Sequence, residues 1–122
     1  MPVTYAFRAQ VLEVRAIGDY AVSEVEAAFR LALAEPARPT LCALLYDVRE
    51  STGVGSRTTA DVREAVEFFD ELGHQVGRRI ALLAATDVGY GVMRMVAGWA
   101  EGCGFDVGVF RDPDEAFAWA SR

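Results

Sequence analysis

Two kinds of hydrophobic pattern take turns along this chain. Near its start, "VLEVRAIG" sets Leu12, Val14 and Ala16 on one side and Glu13 and Arg15 on the other, the period-two signature of a half-buried strand. "VTYAFR" before it predicts a second strand. A tight turn near Ala9-Gln10 would join the two as an antiparallel hairpin, although that turn holds neither Gly nor Asn. In "VSEVEAAFRLALAEPARP" the period changes. Val25, Ala28, Phe29 and Ala32 fall on one helical stripe. Ser23 as N-cap and Glu26 have capping-box spacing, with Val22 placed as a staple, and Pro36 and Pro39 stop the helix.

"TLCALLYDV" shows no alternation, as a strand covered on both faces would. After Asp47, "RESTGVGSRT" is polar and aperiodic, a long loop for an α/β connection. "TTADVREAVEFFDELG" returns to helical spacing: Thr58 and Asp61 approximate a capping box, Val62, Ala65, Val66 and Phe69 form the stripe, and Gly73 stands as C′ residue. "RRIALLAAT" is a second fully buried strand and "DVGVF" a shorter third. "RDPDEAFAWA" opens a last helix, with Asp112 as N-cap, Pro113 at N1 and Glu115 at N3. The predicted order is ββαβαβαβα. It implies one α/β domain over residues 1–122, a mixed, mostly parallel sheet covered on both faces, and an antiparallel edge from the leading hairpin. The segments at about 41–47 and 79–85 should be adjacent parallel strands.

Composition narrows the function classes. A chain of 122 residues, 52% hydrophobic and 25% charged, can bury a core without staples. A net charge of -6 repels nucleic acid and anionic membrane, and Arg78-Arg79 is too small a basic cluster to reverse that. The two cysteines, Cys42 and Cys103, have no metal or disulfide spacing and are expected as buried free thiols. The opening lacks a charged-then-apolar signal pattern, and the longest apolar runs, "LCALLY" and "IALLAA", are far short of a membrane span. A cytoplasmic protein is the expectation. Abundant Ala, Arg and Gly suggest a bacterial source.

"TDVGYGVMRM" raises the question of a phosphate loop. A dinucleotide loop needs G-x-G-x-x-G, but here Arg94 stands where the third glycine belongs, and Phe110 and Arg111 stand where the acidic ribose partner would. The P-loop pattern fails as well, since no Gly-Lys-Ser/Thr follows. A plain helix accounts for the stretch better. Asp87 caps it, Val88 to Cys103 forms it, and Val92, Val96, Trp99 and Cys103 make its buried stripe, flanked by Met93, Met95 and Ala100. Arg94, Gly98 and Glu101 share the opposite face. Gly89 and Gly91 fall in the first turn at a cost in helix propensity, which signals that something packs closely there: a neighbouring loop, a partner or a ligand.

"TDVGYGVMRMVAGWAE" and "VGVFRDPDEAFAWA" together resemble the SpoIIAA-like branch of the STAS domains, which includes proteins labelled as lipid-carrier-like (CRAL-TRIO-like). The resemblance rests on Tyr90-Gly91-Val92-Met93-Arg94-Met95 and on Phe110-Arg111-Asp112 with Glu115, Ala116 and Trp119, within a matching order of elements. It implies a small non-enzymatic α/β domain that binds a partner protein, with a phosphorylated serine opening the second helix as a switch. Ser56 falls near that serine's position, but Gly55 precedes it and Arg57 follows it, so the motif is degraded.

Ser56 and Thr58 are loop and capping residues first, and candidate phosphorylation sites second, because a helix N-terminus tolerates phosphate. His74, the one histidine, has no triad to join and is expected at a surface or helix end. Asp47 is positioned for a general base, or more simply to satisfy amides of the following loop. Trp99, Trp119 and Met93 are core residues. No catalytic residue, metal ligand or cofactor is expected. The predicted activity is binding of a protein partner, or self-association as a homodimer. The alternative is a carrier or sensor of a small apolar or lipid ligand in a cavity between helices and sheet, which needs an enclosed volume of about 300 Å³. An enzyme ranks third. The expected docking surface lies at the carboxyl ends of the strands, where the loop Arg49–Arg57, the helix start Asp87–Gly91 and the turn Arg111-Asp112 should converge. Ser56, Tyr90 and Arg94 are its candidate partner-binding residues.

Overall fold

The computed structural model describes residues 2–73 and 75–122. Five strands, β1 (Val3–Arg8), β2 (Val11–Gly18), β3 (Ala43–Ser51), β4 (Arg79–Leu83) and β5 (Asp106–Phe110), lie side by side in sequence order. β1 pairs antiparallel with β2, and every later pairing is parallel, β3 with β4 among them. Four helices complete the chain: α1 (Val22–Leu33), α2 (Thr59–Leu72), α3 (Asp87–Gly102) and α4 (Pro113–Ala120). The α/β class and the ββαβαβαβα order match the sequence expectation, apart from a single 3-10 turn at Val54–Ser56.

The apolar runs conceal an alternation that burial makes visible. Leu44, Tyr46 and Val48 of β3 and Ile80, Leu82 and Ala84 along β4 join the core formed with α1, α2 and α3. Leu45, Ala81 and Leu83 point the other way, against Ala116 and Ala120 of α4. Both faces are apolar because both are covered, but unequally: three helices lie on one face, and α4 alone lies on the other. Its cover reaches β3, β4 and β5. Phe29, Phe68 and Phe69 meet between α1 and α2 with ring centroids 5.6 to 6.3 Å apart, near the spacing aromatic pairs favour.

The punctuation holds in part. Thr58 and Asp61 form the expected reciprocal capping box, and Asp112 caps α4 by accepting from the Asp114 amide at 2.9 Å. α1 is capped two residues before the predicted Ser23. Its N-cap is Ala21, whose amide donates to the Glu24 carboxylate at 3.1 Å. α3 is capped by Thr86 rather than Asp87. Gly73 closes α2 with an ordinary φ of -55°, not as a left-handed C′ residue. The hairpin turn reaches its geometry with Ala9 at φ 54°, a conformation that costs a non-glycine residue energy.

Candidate functional site

The end of the sheet where the parallel strands finish is built from three segments. After Asp47, β3 continues to Ser51, so the predicted loop Arg49–Arg57 is strand over its first part. The chain then folds into the 3-10 turn. The Val54 amide donates to Ser51 Oγ at 3.1 Å, and Ser56 Oγ donates to the Gly53 carbonyl at 2.9 Å. Arg57 leads out of the turn with its guanidinium over the Tyr20 ring, 4.5 Å from the centroid, donating to the Tyr20 carbonyl. Ser56 is exposed, and Thr58, two residues on, is committed to capping α2.

The second segment is the start of α3. Thr86 Oγ1 accepts from the Gly89 amide at 3.0 Å. A Cβ on Gly89 would lie 3.0 Å from that oxygen and 3.4 Å from Val54 Cγ1, and one on Gly55 would lie 2.9 Å from Val88 Cγ1. The 3-10 turn therefore sits against α3, and the close neighbour that the glycines announce is, for Gly89, part of the same chain. Gly91 has nothing within 4 Å of a would-be Cβ. The third segment supplies Arg111, which bridges to Asp87 at 2.8 Å and lies over the Tyr90 ring at 4.6 Å. The three segments converge as expected.

The candidate side chains do not form one cluster. Tyr90 and Arg94 line an open groove of about 300 Å³ beside β5, with Gly98, Glu101, Val107 and Val109. Among the described residues Arg94 makes no ion pair, with Glu101 or any other carboxylate. Ser56 belongs with the 3-10 turn, on the Val88 side of α3. Val88 and Tyr90 are two residues apart, which places them about 200° apart around the helix axis. On the Ser56 side Val88 is 60% exposed. Sequence reasoning assigned it no role, although its signal was present: a branched apolar residue one step past a capping pair, where a solvated helix start would carry a polar one.

The interior offers little room. The space among α1, α2, α3 and the sheet amounts to about 40 Å³, bordered by Tyr20, Tyr46, Val62 and Met93 among others. The Tyr20 and Tyr46 hydroxyls meet there at 3.0 Å. Burial, and then the neighbouring Tyr20, pushes the Tyr46 phenol well above its ordinary value, so it remains a neutral hydrogen-bonding group. Asp47, 5% exposed, accepts from the Arg49 amide at 3.0 Å and from its guanidinium at 2.9 and 3.1 Å, with Arg15 at 3.5 Å. Those contacts occupy both oxygens, as the amide-satisfying reading of Asp47 requires. Cys42 is buried, and burial raises its thiol pKa. Cys103 is exposed, contrary to expectation, because it lies just past the last turn of α3. Among the described residues no three His, Cys, Asp or Glu side chains gather as metal ligands would, and no helix is long and apolar enough to cross a membrane. The expectation for His74 lies outside the described residues.

No protein-family model matches the sequence, and no curated protein does. Among solved structures, the chain is similar to an uncharacterized protein of the DUF3478 family with a SpoIIAA-like fold from Shewanella loihica PV-4. The TM-score is 0.64 at 15% sequence identity, over 97% of this chain and 91% of that one. The fold is therefore SpoIIAA-like, as the sequence resemblance implied.

Proposed function

We propose that this SpoIIAA-like domain works without catalysis, by binding a protein partner at the end of the sheet formed by the 3-10 turn, the start of α3 and the turn after β5. One observation carries the reading: Val88 stands 60% exposed at the start of α3, against the 3-10 turn. An exposed branched apolar side chain rimmed by polar groups has the make-up of a small docking patch. Ser56 lies beside it in the 3-10 turn, whereas Tyr90, Arg111 and Arg94 stand on the other side of the helix start and form a separate contact area of the same end. The carrier reading is less favoured. It needs an enclosed volume of about 300 Å³, and the space between helices and sheet is about 40 Å³, on the scale of one or two water molecules.

Regulation by phosphorylation belongs to the same surface. A phosphate on Ser56 would lie two residues before the N-cap of α2, next to Arg57, where a helix start favours negative charge. Thr58 is the poorer acceptor. Its hydroxyl accepts from the Asp61 amide and the Asp61 carboxylate already holds its own amide, so a phosphate would replace the cap and face a carboxylate. The test is purification of the tagged protein from its native host alongside Val88→Glu, Tyr90→Ala, Arg94→Glu and Ser56→Glu variants with unchanged thermal unfolding. A partner retained by wild type and lost by the first three supports the docking end. Equal retention by all four, or co-purification of lipid in place of protein, overturns it.

A further inference from the structure

The free edge of β1, with the side of α1 that overlooks it, forms a second surface that shares no residue with the docking end proposed above. The Ile17 amide donates to the Pro2 carbonyl at 2.7 Å, and β1 pairs with β2 from Val3 opposite Ala16 to Arg8 opposite Val11. In an antiparallel ladder the bonded pairs alternate. Thr4, Ala6 and Arg8 therefore turn their backbone groups toward β2, and Val3, Tyr5 and Phe7 turn theirs outward. β1 is the last strand of the sheet on that side, so this row of amides and carbonyls is an open template for another strand.

The template has a floor and two ends. Between β1 and α1 runs an open groove of about 420 Å³, bordered by Val3, Tyr5, Ala27 and Leu31. Leu31 is 56% exposed, although it lies in a helix whose other large apolar residues are buried or half-buried. Glu24 stands toward one end of α1, and Glu35, which accepts from the Tyr5 hydroxyl at 2.7 Å, stands just past the other. The groove is thus apolar in the middle, with Glu24 bordering one end and Glu35 beyond the other, on the Tyr5 hydroxyl.

We propose that this groove binds an extended segment of a partner protein as a sixth strand beside β1, apolar at its centre and carrying lysine or arginine toward each end. Main-chain bonds to Val3, Tyr5 and Phe7 would hold it, and its inward side chains would cover Ala27 and Leu31, the strand-addition mode of peptide recognition. Charge disfavours a second copy of this chain. Two β1 edges paired about a two-fold axis would set the Glu24 end of one groove against the Glu35 end of the other, acid against acid, in molecules that each carry a net charge of -6.

The probe is a short synthetic peptide of alternating threonine and valine with lysine at each end, compared with the same peptide ending in glutamates. Both are titrated into the isotope-labelled protein and followed by amide chemical shifts and hydrogen exchange. The lysine peptide should shift the amides of Val3, Tyr5, Phe7, Ala27 and Leu31, and it should slow exchange of the three strand amides. Leu31→Arg should weaken it by about tenfold or more, the effect of losing one apolar anchor. The double variant Glu24→Gln, Glu35→Gln keeps acceptors for both hydrogen bonds and should erase the preference for lysine over glutamate. No binding, shifts centred elsewhere, indifference to Leu31→Arg, or concentration-dependent shifts of the same amides without peptide would each overturn the proposal. The Val88, Tyr90 and Arg94 variants should leave peptide binding unchanged, so this surface and the docking end stand or fall separately.

Discussion

Gly89 and Gly91 are two residues apart and serve different ends. A side chain on Gly89 would crowd the capping oxygen of Thr86 and the methyl of Val54, whereas one on Gly91 would meet nothing. Gly91→Ala should therefore stabilise by about 0.5–1 kcal/mol through helix propensity alone. Gly89→Ala should forfeit that gain by displacing a cap worth about 1 kcal/mol. Urea denaturation of the two variants should place Gly89→Ala clearly below Gly91→Ala, and equal stabilisation would refute the close packing. Glu26 gives a second residue-scale prediction. Burial, and then the nearby Glu64, raises its pKa from the ordinary value. An acid whose folded pKa is raised lends stability at low pH and loses it as pH climbs through the raised value. Glu26→Gln should thus raise the melting temperature near neutral pH, with the gain shrinking to nothing as pH falls below the ordinary glutamate range. A gain unchanged by pH would assign the effect to something other than ionisation.

At the scale of elements, the sequence was most legible where one pattern had one solution. "TLCALLYDV" and "RRIALLAAT" are adjacent parallel strands, because an apolar run that short fits only a strand with both faces covered. Leu45→Ala should cost about 2–4 kcal/mol and Val96→Ala about 1–3 kcal/mol, as truncations at sites 3% and 4% exposed. Denaturation midpoints barely moved by either would remove that residue from the core. α3 was legible as a helix, but its buried face was not. Gly89, Met93, Val96, Ala97 and Ala100 are buried, while Val92 and Trp99 lie at the flank and Cys103 is exposed. Apolar residues occupy so much of this helix's circumference that periodicity could not choose the arc. Packing chose it, and the buried arc is the one that carries the small residues Gly89, Ala97 and Ala100. The start of α1 misled for a related reason. "Ser23-x-x-Glu26" and "Ala21-x-x-Glu24" offer the same acid spacing in two frames, and the chain uses the second, where Ala21 lacks the capping oxygen that sequence reading looks for. The candidate site was legible as three converging segments, since topology alone brings strand ends together. Its division into a Ser56 side and a Tyr90–Arg94 side was not, because that depends on which arc of α3 is buried.

The whole molecule is asymmetric. Three helices insulate one face and α4 covers part of the other, and the exposed large apolar residues include Val88 at the start of α3 and Leu31 beside β1. The surface is where structure and binding can be separated by experiment. Arg111 offers the cleanest separation. It joins the turn after β5 to the start of α3 through Asp87 and the Tyr90 ring, so it holds two of the three segments of the proposed docking end in register. The pair is solvated, with the Asp87 side chain 92% exposed, and exposed pairs contribute about 0–1 kcal/mol. Arg111→Ala should therefore change unfolding stability by less than about 1 kcal/mol. It should also free the Tyr90 ring and the Asp87 carboxylate, and weaken partner binding more than stability. Denaturation and binding measured on the same preparation decide the matter. A large loss of stability with binding intact would make Arg111 a structural clamp, and would move the docking surface away from this end of the sheet.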